Sequence, residues 1–473
     1  MESFNPNKHL KEQFVSNLTG SSILEIFSLI TTLSVLILIR HCIEFNCLTS
    51  GRVKKDDNAN DNATVSNNNF GAYMVALIVD CFFIVVPYIL CMTVLAEWTY
   101  GSTMLVFLLL LFIVSFKRNG SSFLQEGGVD SIRGNISSYR VAMMLGTCIS
   151  ILAVDFKIFP RRYAKTETFG TSLMDLGVGS FVVANSLVSR QARGISNMTL
   201  RNALYSTSPL IILGIARLIS TSSVNYQVHV GEYGVHWNFF FTLAAVAILT
   251  SIINVPPNYC GFLGSFILIG YQTLLLCGLN DYLLSENRGT DIISQNKEGI
   301  FSIFGKDRYW GMYLVGVRVG SYLFFGHKTD VRTKTWTRTR VWALCLLFWS
   351  ISLLLDWQVE RVSRRMENNF EISLQCNLAY VSLVWAISLQ VLAILMLSDY
   401  VPGRKTSALE EAIDRNLLAY FLLANVLTGL VNLSVDTLSV SSIAALAILF
   451  AYALVLSLAV GCASFMGIKF KFW

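Results

Sequence analysis

Charged residues are scarce in this chain. Asp, Glu, Lys and Arg make up 14% of its 473 residues, whereas soluble globular proteins contain about 25%. Hydrophobic residues make up 54%, and apolar runs of ~20 residues, long enough to cross a bilayer, recur along the sequence. The shortage of charge excludes a soluble globular protein. The apolar runs predict an all-α fold, a polytopic bundle of transmembrane helices in a lipid bilayer.

Clustered metal-binding residues are also lacking. The ten Cys and five His are scattered, and no CxxC motif or Cys/His cluster occurs. The sequence therefore predicts neither a metal site nor a disulfide framework. The net charge of +6 does not indicate nucleic-acid binding, because the basic residues lie in short loops between apolar runs, where they reflect topology. Residues 1–21 are polar, so we expect no cleavable signal peptide.

We count about thirteen spans by the length criterion of ~20 apolar residues. We treat residues 1–473 as a single integral membrane domain, with 1–21 as an N-terminal segment and 45–70 as a flexible polar loop rich in Asn and Asp. The second and third spans are close enough to form one re-entrant pair. The predicted spans are Ile23–His41, Tyr73–Met92, Ser102–Phe116, Tyr139–Phe156, Thr171–Val188, Ala203–Ser220, Gly234–Ile253, Tyr259–Leu279, Tyr309–Phe325, Thr339–Trp357, Asn377–Leu397, Asn416–Leu433 and Ile443–Met466.

The basic residues set the expected orientation. An odd number of spans places the two termini on opposite sides of the membrane. Lys469 and Lys471 near the C-terminus resemble a cytosolic dilysine retrieval signal, and alternatively they anchor the last helix at the cytosolic face. Both interpretations predict a cytosolic C-terminus and a lumenal N-terminus. With that orientation the cytosolic loops carry more Lys and Arg than the lumenal ones, as expected.

Four polar clusters fall on the side that this topology assigns to the lumen. They are costly to place at helix ends in a membrane, and ionisable groups at that depth tend to mark function. Their convergence on one side predicts a shared site at the membrane surface. The clusters are Asp155–Glu167; Tyr226–Asn238; Asn296–Ser302 with Tyr309–Gly311; and Glu360–Met366.

The same clusters carry a family resemblance. From Arg140 to Asn432 the motifs follow each other in the order found in the GPI-inositol acyltransferases, the PIG-W family of the endoplasmic reticulum, which this chain resembles. The first ~120 residues match that pattern weakly, and residues 306–308 and 367–375 look like small insertions beside the motifs. The motifs read AVDFKIFPRRYAK from Ala153, GTSLMDLGVGS from Gly170, EYGVHWNFF from Glu232, NKEGIFS from Asn296, VSRR from Val362 and LANVLTGLVN from Leu423.

The resemblance implies an enzyme, a membrane-bound O-acyltransferase. It would move a fatty acyl group from acyl-CoA to an inositol hydroxyl of glucosaminyl-phosphatidylinositol during GPI-anchor biosynthesis in the endoplasmic reticulum. Acyl-CoA would be a co-substrate, and no other cofactor is implied. A membrane transporter or lipid flippase is the alternative, since buried charges in a helical bundle would serve it equally. The absence of evident internal repeats argues against the transporter. A non-catalytic subunit of a larger complex is a third option.

Acyl transfer to a hydroxyl needs a base and stabilisation of the oxyanion. Asp155 is the candidate base, because a carboxylate at a helix end in low dielectric is a better proton acceptor near neutrality. Lys165 is the candidate electrophilic partner, whose positive charge holds the thioester oxygen or tunes the basicity of Asp155. A structural ion pair is the alternative role for these two residues. His236 is a competing base, and alternatively an interfacial residue of an aromatic belt.

Substrate recognition is assigned to polar and aromatic residues of the same clusters. Arginines suit phosphate groups through bidentate contacts, and alternatively they anchor lipid headgroups. Asp175, with Asn185 nearby, is expected to form a structural hydrogen bond between helices. The candidate substrate-binding residues are Arg161, Arg162, Glu232, Trp237, Asn238, Asn296, Glu298, Arg364, Arg365 and Asn425.

Overall fold

The computed structural model is helical throughout almost all of the residues that it describes. The described residues are 14, 18–43, 70–120, 130–166, 170–195, 200–223, 237–274, 277, 309–325, 334–358, 378–400 and 406–470. The helices are α1 (Ile23–Cys42), α2 (Phe70–Asp80), α3 (Val86–Met92), α4 (Thr99–Gly120), α5 (Asp130–Ala153), α6 (Leu176–Leu187), α7 (Leu200–Ser223), α8 (Phe239–Ile253), α9 (Pro257–Leu274), α10 (Tyr309–Gly320), α11 (Lys334–Gln358), α12 (Leu378–Leu395), α13 (Ala408–Arg415), α14 (Leu417–Ser434) and α15 (Ser442–Phe465). A π-helical turn, Cys81–Val85, joins α2 to α3, and another, Ser321–Phe325, follows α10.

The predicted fold class, an all-α polytopic bundle, is confirmed. Nine helices of the described part are long and apolar enough to cross a membrane, and α6 and α8 are shorter apolar helices. Each predicted span overlaps one of the observed helices, but the count of thirteen spans stays a prediction. The stretches Phe70–Met92 and Ala96–Phe116 each have the length of a separate span.

Several predicted helix starts differ from the structure by a few residues, and two of the differences are informative. α5 begins at Asp130 rather than at Tyr139, because its first turns are polar but still helical. α6 begins at Leu176 rather than at Thr171, since the Ser172 hydroxyl and the Asp175 carboxylate bond to each other and to Thr166 in a loop instead of continuing a helix. Side-chain hydrogen bonds to the local backbone compete with helix formation at such residues.

The described residues divide into two contact units. The first unit contains Met1–Ile26 and Arg161–Ala393, and the second contains Phe27–Pro160 and Ile394–Phe472. Each unit has its own packing and its own polar groups.

Small residues bring the helices of the first unit close together. A Cβ added to Gly316 of α10 would overlap Ser186 of α6, and one added to Gly264 of α9 would lie 2.7 Å from the carbonyl oxygen of Gly311. The backbones of these helices therefore touch at the glycines, the packing that small residues allow inside membranes.

Helix α12 is the most buried element of the first unit. In its span, Leu378–Tyr400, 89% of the most apolar 18-residue stretch is buried. Trp385 is fully buried and stacks on Phe348 of α11 at 5.5 Å between ring centroids. Val384 packs where a Cβ on Gly179 of α6 would come within 2.9 Å. An apolar surface all round the helix is typical of such a central position.

The second unit packs α5, α14 and α15 around a buried tyrosine. The hydroxyl of Tyr452 donates to the carbonyl oxygen of Cys148 at 2.9 Å and lies 3.3 Å from that of Ala424. One side chain of α15 thus bonds to the backbones of both neighbouring helices.

Polar contacts at the two ends of α5 show how the helices of the second unit are oriented relative to one another. Near its beginning, Asn135 donates to both carboxylate oxygens of Asp399 at 3.3 Å. Past its end, Asp155 accepts from Asn432, close to the end of α14. α5 and α14 therefore run in the same direction, as the predicted alternation of spans requires.

Candidate functional site

Asp155 lies in the turn that follows α5. Its backbone N–H donates to the carbonyl of Leu152 at 3.1 Å, which continues the last helical turn beyond Ala153. The side chain is half-buried, and its Oδ2 accepts a hydrogen bond of 2.7 Å from Nδ2 of Asn432. A helix end thus holds the predicted base in a defined orientation. Asn432 was quoted in a motif but not selected as a site residue.

Lys165 lies in a short loop of the first unit and is half-buried. The loop begins with a single 3₁₀ turn, Arg161–Tyr163. The carbonyl of Tyr163 accepts from the N–H of Met174 at 3.2 Å, so a backbone hydrogen bond joins the beginning of the loop to its end.

Glu25 anchors the beginning of this loop. Its Oε1 accepts from Nε of Arg162 at 2.9 Å and from the hydroxyl of the buried Tyr163 at 2.7 Å. The side chain of Arg162 is 30% exposed and that of Glu25 is 13% exposed. The sequence analysis missed Glu25, although a carboxylate in the first turn of an apolar helix is the kind of residue that tends to be functional.

The two predicted phosphate-binding arginines differ in their surroundings. The guanidinium of Arg161 lies over the ring of Phe14, with its central carbon 3.9 Å from the ring centroid. This is a cation–π contact. Arg162 is held by a carboxylate, so its charge is partly compensated before any ligand binds. Their predicted role in substrate binding stays a prediction.

Asp175 anchors the end of the Lys165 loop. Its Oδ2 accepts from the backbone N–H of Thr166 at 3.2 Å, from the Thr166 hydroxyl at 2.7 Å and from the Ser172 hydroxyl at 2.8 Å. Its backbone carbonyl accepts from the hydroxyl of Tyr380 in α12 at 2.8 Å. Asp175 therefore has the expected structural role, and its bond to the neighbouring helix α12 is made by the backbone carbonyl, while the carboxylate bonds within its own loop.

Two glycines allow the first residues of the unit to meet this loop. Ser21 donates its N–H to the carbonyl of Thr171 at 2.7 Å. Gly20 and Gly170 flank that contact with φ of +80° and +120°, conformations that residues with a Cβ rarely adopt. Side chains at either position would also collide with the opposing backbone.

Asn425 and Asn432 lie two turns apart on α14, and a spacing of seven residues places them on the same helix face. Asn425 is exposed and donates to the carbonyl of Phe421 at 2.7 Å. Asn432 is half-buried and reaches Asp155. The polar face of α14 therefore leads toward the predicted base.

Trp237 and Asn238 stabilise the start of α8. Asn238 is the N-cap, and its Oδ1 accepts from the N–H groups of Phe240 and Phe241, as is favoured at that position. Its Nδ2 donates to the carbonyl of Gly214 at 2.9 Å. Trp237 donates to the Thr242 hydroxyl at 3.0 Å. These bonds give both residues a structural role, and their predicted contact with substrate stays a prediction.

Several predicted site residues lie outside the described residues. They are His236, Glu232, Asn296, Glu298, Arg364 and Arg365, together with the insertions 306–308 and 367–375. The structure brings no metal-binding group of three or more His, Cys, Asp or Glu together within the residues that it describes.

The second unit also contains a buried ionic cluster that the sequence analysis missed. Arg40 pairs with Asp80, and Nε2 of His41 lies 2.7 Å from Oε2 of Glu410. Glu410 forms a capping box with Ser407 at the start of α13.

Burial alone would raise the pKa of Glu410. The charge and hydrogen bond of His41, with further hydrogen bonds from Ser138 and the backbone of Ser407, outweigh burial and lower that pKa to about 2. Asp80 also accepts from the backbone N–H of Leu409 at 3.1 Å, so the cluster joins α13 to α1 and α2 through buried polar side chains.

These features define a class of protein: a polytopic helical membrane protein with hydrogen-bonded ionisable side chains in loops at helix ends. Comparison with known proteins gives the family. The GWT1 family model matches residues 7–463, and the chain belongs to the GWT1 family. The predicted resemblance to PIG-W proteins is confirmed.

Three relatives illustrate the similarity over nearly the full length. An uncharacterized protein, At4g17910, of Arabidopsis thaliana is 54% identical over 93% of this chain and 98% of its own. The phosphatidylinositol-glycan biosynthesis class W protein of Dictyostelium discoideum is 32% identical over 98% of this chain and 99% of its own. The glucosaminyl-phosphatidylinositol-acyltransferase PIGW of Bos taurus is 31% identical over 98% of this chain and 99% of its own.

Proposed function

We propose that the protein transfers a fatty acyl group from acyl-CoA to an inositol hydroxyl of glucosaminyl-phosphatidylinositol, in the biosynthesis of GPI anchors. The observation that carries this proposal is the match of 98% of the chain to a relative named as a glucosaminyl-phosphatidylinositol-acyltransferase. The same match favours acyl transfer over a transporter or flippase. The pathway implies the endoplasmic reticulum membrane. From the odd number of predicted spans and the distribution of Lys and Arg we propose that the N-terminus is lumenal and the C-terminus cytosolic.

Asp155 is proposed as the general base. The acceptor hydroxyl oxygen attacks the thioester carbonyl carbon while its proton passes to the Asp155 carboxylate, so that one C–O bond forms. The resulting tetrahedral oxyanion collapses, the C–S bond breaks, and its electron pair leaves on the CoA sulfur. The proton held by Asp155 then returns to the thiolate. General base catalysis of this kind is worth about 10²–10⁴ in rate.

Asn432 supports this role through its bond to Oδ2 of Asp155. The amide holds the carboxylate in one orientation, so that the proton acceptor is placed before the substrate arrives. A fixed acceptor avoids reorganisation during the reaction.

Lys165 is proposed to stabilise the negative charge that develops on the thioester oxygen. Its loop is held at one side by Glu25 and at the other by Asp175. A loop fixed at both sides keeps a long lysine side chain in a narrow range of positions, which is the requirement for electrostatic preorganisation. His236 remains the competing base, and it lies outside the described residues.

The acyl tail requires an apolar site. A chain of ~16 carbons contributes on the order of 10 kcal/mol at ~0.8 kcal/mol per buried CH₂, so tail burial supplies most of the binding energy. We predict an apolar cavity that holds this acyl tail.

The test is direct transfer by purified protein in nanodiscs. Radiolabelled acyl-CoA and glucosaminyl-phosphatidylinositol are supplied, and acylated glycolipid is measured by chromatography. Phosphatidylinositol without glucosamine serves as the acceptor control. Failure to form product with any acyl length, using folded protein, would refute the proposal. Movement of unmodified glycolipid between leaflets under the same conditions would favour the flippase.

A further inference from the structure

A polar cavity in the first unit has not entered the proposed reaction. It lies where the end of α6, the beginning of α7 and the end of α8 meet, and its volume is about 180 Å³. A single water needs about 10–15 Å³ of such space, so the cavity has room for a polar group of several atoms. It lies beyond the C-terminal end of α6, whereas the Lys165 loop precedes the N-terminal end.

The two ends of α6 are separated by the length of the helix. Its 12 residues correspond to about 18 Å at 1.5 Å per residue. The cavity is therefore distinct from the Lys165 loop. Cavity and loop nevertheless lie in the same unit and are joined by one rigid helix.

The lining carries a positive charge and many hydroxyl and amide side chains. Most of the lining residues are polar, and among the described residues that line the cavity none is Asp or Glu. Arg190 supplies one full positive charge and is exposed at the rim together with Asn185. Its guanidinium has five N–H donors in a geometry that suits a phosphate, and in the described part of the chain no ion pair includes Arg190.

One of the lining residues, Gln191, also carries a buried acceptor next to the cavity. Nε2 of Gln191 donates to the carbonyl of Val255. Oε1 of the same amide is buried and has no hydrogen-bond partner among the described residues. A buried acceptor without a donor is costly, and a ligand hydroxyl would satisfy it. The structure thus combines a cation for a phosphate with an acceptor for a neighbouring hydroxyl.

We propose that this cavity binds a phosphate ester carried on a hydroxyl-bearing skeleton. Two molecules of the proposed reaction share that chemistry: the phosphorylated ribose of CoA and the phosphoinositol headgroup. The inference rests on the proposed function for its choice of ligands. It assigns polar-group binding to the end of α6 remote from Lys165, which would let a donor be held at one end of the helix and react at the other.

The experiment uses the full chain in nanodiscs and two soluble probes, CoA without an acyl chain and glycerophosphoinositol. Dissociation constants are measured by calorimetry for the wild type, Arg190→Gln and Ala247→Phe. Gln keeps most of the Arg length without its charge, and Phe at residue 247 fills the cavity. Arg201→Gln is the control, because Arg201 is an exposed arginine of α7 that does not line the cavity.

We expect both cavity variants to weaken one probe by about tenfold or more, the effect of losing a charge-assisted hydrogen bond. Arg201→Gln should bind as the wild type. Loss confined to CoA identifies the donor nucleotide as the ligand, and loss confined to glycerophosphoinositol identifies the headgroup. Wild-type binding of both probes by Arg190→Gln, the variant least disturbing to folding, would overturn the proposal.

The turnover assay separates this site from the proposed function. Arg190→Gln should raise KM for the affected substrate with little change in kcat, since it removes binding shared by ground and transition states. If the wild type binds a probe through Arg190 but transfers no acyl group, the site stands and the acyltransferase proposal fails. If the wild type transfers the acyl group and the cavity variants bind both probes normally, the acyltransferase proposal stands and the proposed site fails.

Discussion

Asn432 and Asp155 are 277 residues apart in the sequence and are joined by a hydrogen bond of 2.7 Å. The bond connects the end of α14 to the turn after α5. Because Oδ2 of Asp155 accepts from the amide, the bond fixes the orientation of the carboxylate. It therefore sets the direction from which an acceptor hydroxyl can approach the predicted base.

Removing that amide should slow the reaction without abolishing it. We expect Asn432→Leu to lower kcat by about tenfold, since a hydrogen bond to a charged group is worth about 1.5–3 kcal/mol and the change leaves Asp155 in place. Loss of a donor to the ionised carboxylate should also move the acidic limb of the pH–rate profile to higher pH. Asn425→Leu on the same face of α14 is the matched control, and an equal shift in that variant would contradict the pairing.

Replacing the predicted base should have a larger effect. We expect Asp155→Asn and Lys165→Ala each to reduce turnover by about 10² or more, because each removes a group that acts in the transition state. The double variant should be strongly sub-additive, as for groups that act as a unit. His236→Ala should cost less than either single change. Abolished turnover in His236→Ala, with most activity kept in Asp155→Asn, would instead make His236 the base.

Asp175 should act through the position of Lys165. Asp175→Ala leaves the buried donors of Thr166 and Ser172 without their acceptor, which costs about 1–3 kcal/mol for each unsatisfied group. We expect a lower Tm in nanodiscs and a fall in kcat. Asp175→Asn keeps one carbonyl acceptor and should recover part of both. Unchanged kcat in a folded Asp175→Ala protein would show that the loop anchor does not matter for turnover.

The glycine contact between α6 and α10 should tolerate no methyl group. Gly316→Ala would drive a Cβ into Ser186, and overpacking of this kind costs about 1–3 kcal/mol. We expect reduced Tm and yield, with recovery in the double variant Gly316→Ala, Ser186→Gly. Gly270→Ala is the control, because a Cβ there meets nothing within 4 Å. Equal losses in both alanine variants would exclude close packing as the cause.

The Glu410 pair should contribute stability that depends on pH. The folded-state pKa of Glu410 is lowered from the ordinary 4.5 to about 2. Its contribution is therefore complete above the unfolded-state value and is lost as pH falls toward about 2. The Tm advantage of the wild type over Glu410→Gln should shrink across that window. Glu411→Gln is the matched control, because it alters a neighbouring carboxylate of α13 whose side chain is 38% exposed and pairs with Arg415 instead of His41.

Hydropathy was sufficient to locate the helices, because a bilayer requires long apolar segments whatever their partners are. It failed at Thr171–Asp175, where the residues are buried and therefore look like part of a span. Their hydroxyls and carboxylate bond to one another instead of continuing a helix.

The motifs identified Asp155 and Lys165 as candidate site residues, but not the distant residues whose hydrogen bonds hold them in place. Glu25 lies 137 residues before Arg162, and His41 lies 369 residues before Glu410. No local pattern links such pairs, since their meeting depends on how distant helices pack. Glu25 and Asp80 could have been noticed as carboxylates inside apolar segments, but their partners could not.

The contact of Glu25 with Arg162 and Tyr163 has a consequence for biosynthesis. Glu25 is made 137 residues before Arg162, and at about 5–20 residues per second this delay is on the order of 10 s. During that interval a carboxylate at the start of an apolar helix lacks its cationic partner. The first helix therefore cannot complete its final contacts as it leaves the ribosome. It must wait at the membrane, or bind a chaperone, until the loop around Lys165 has been synthesised.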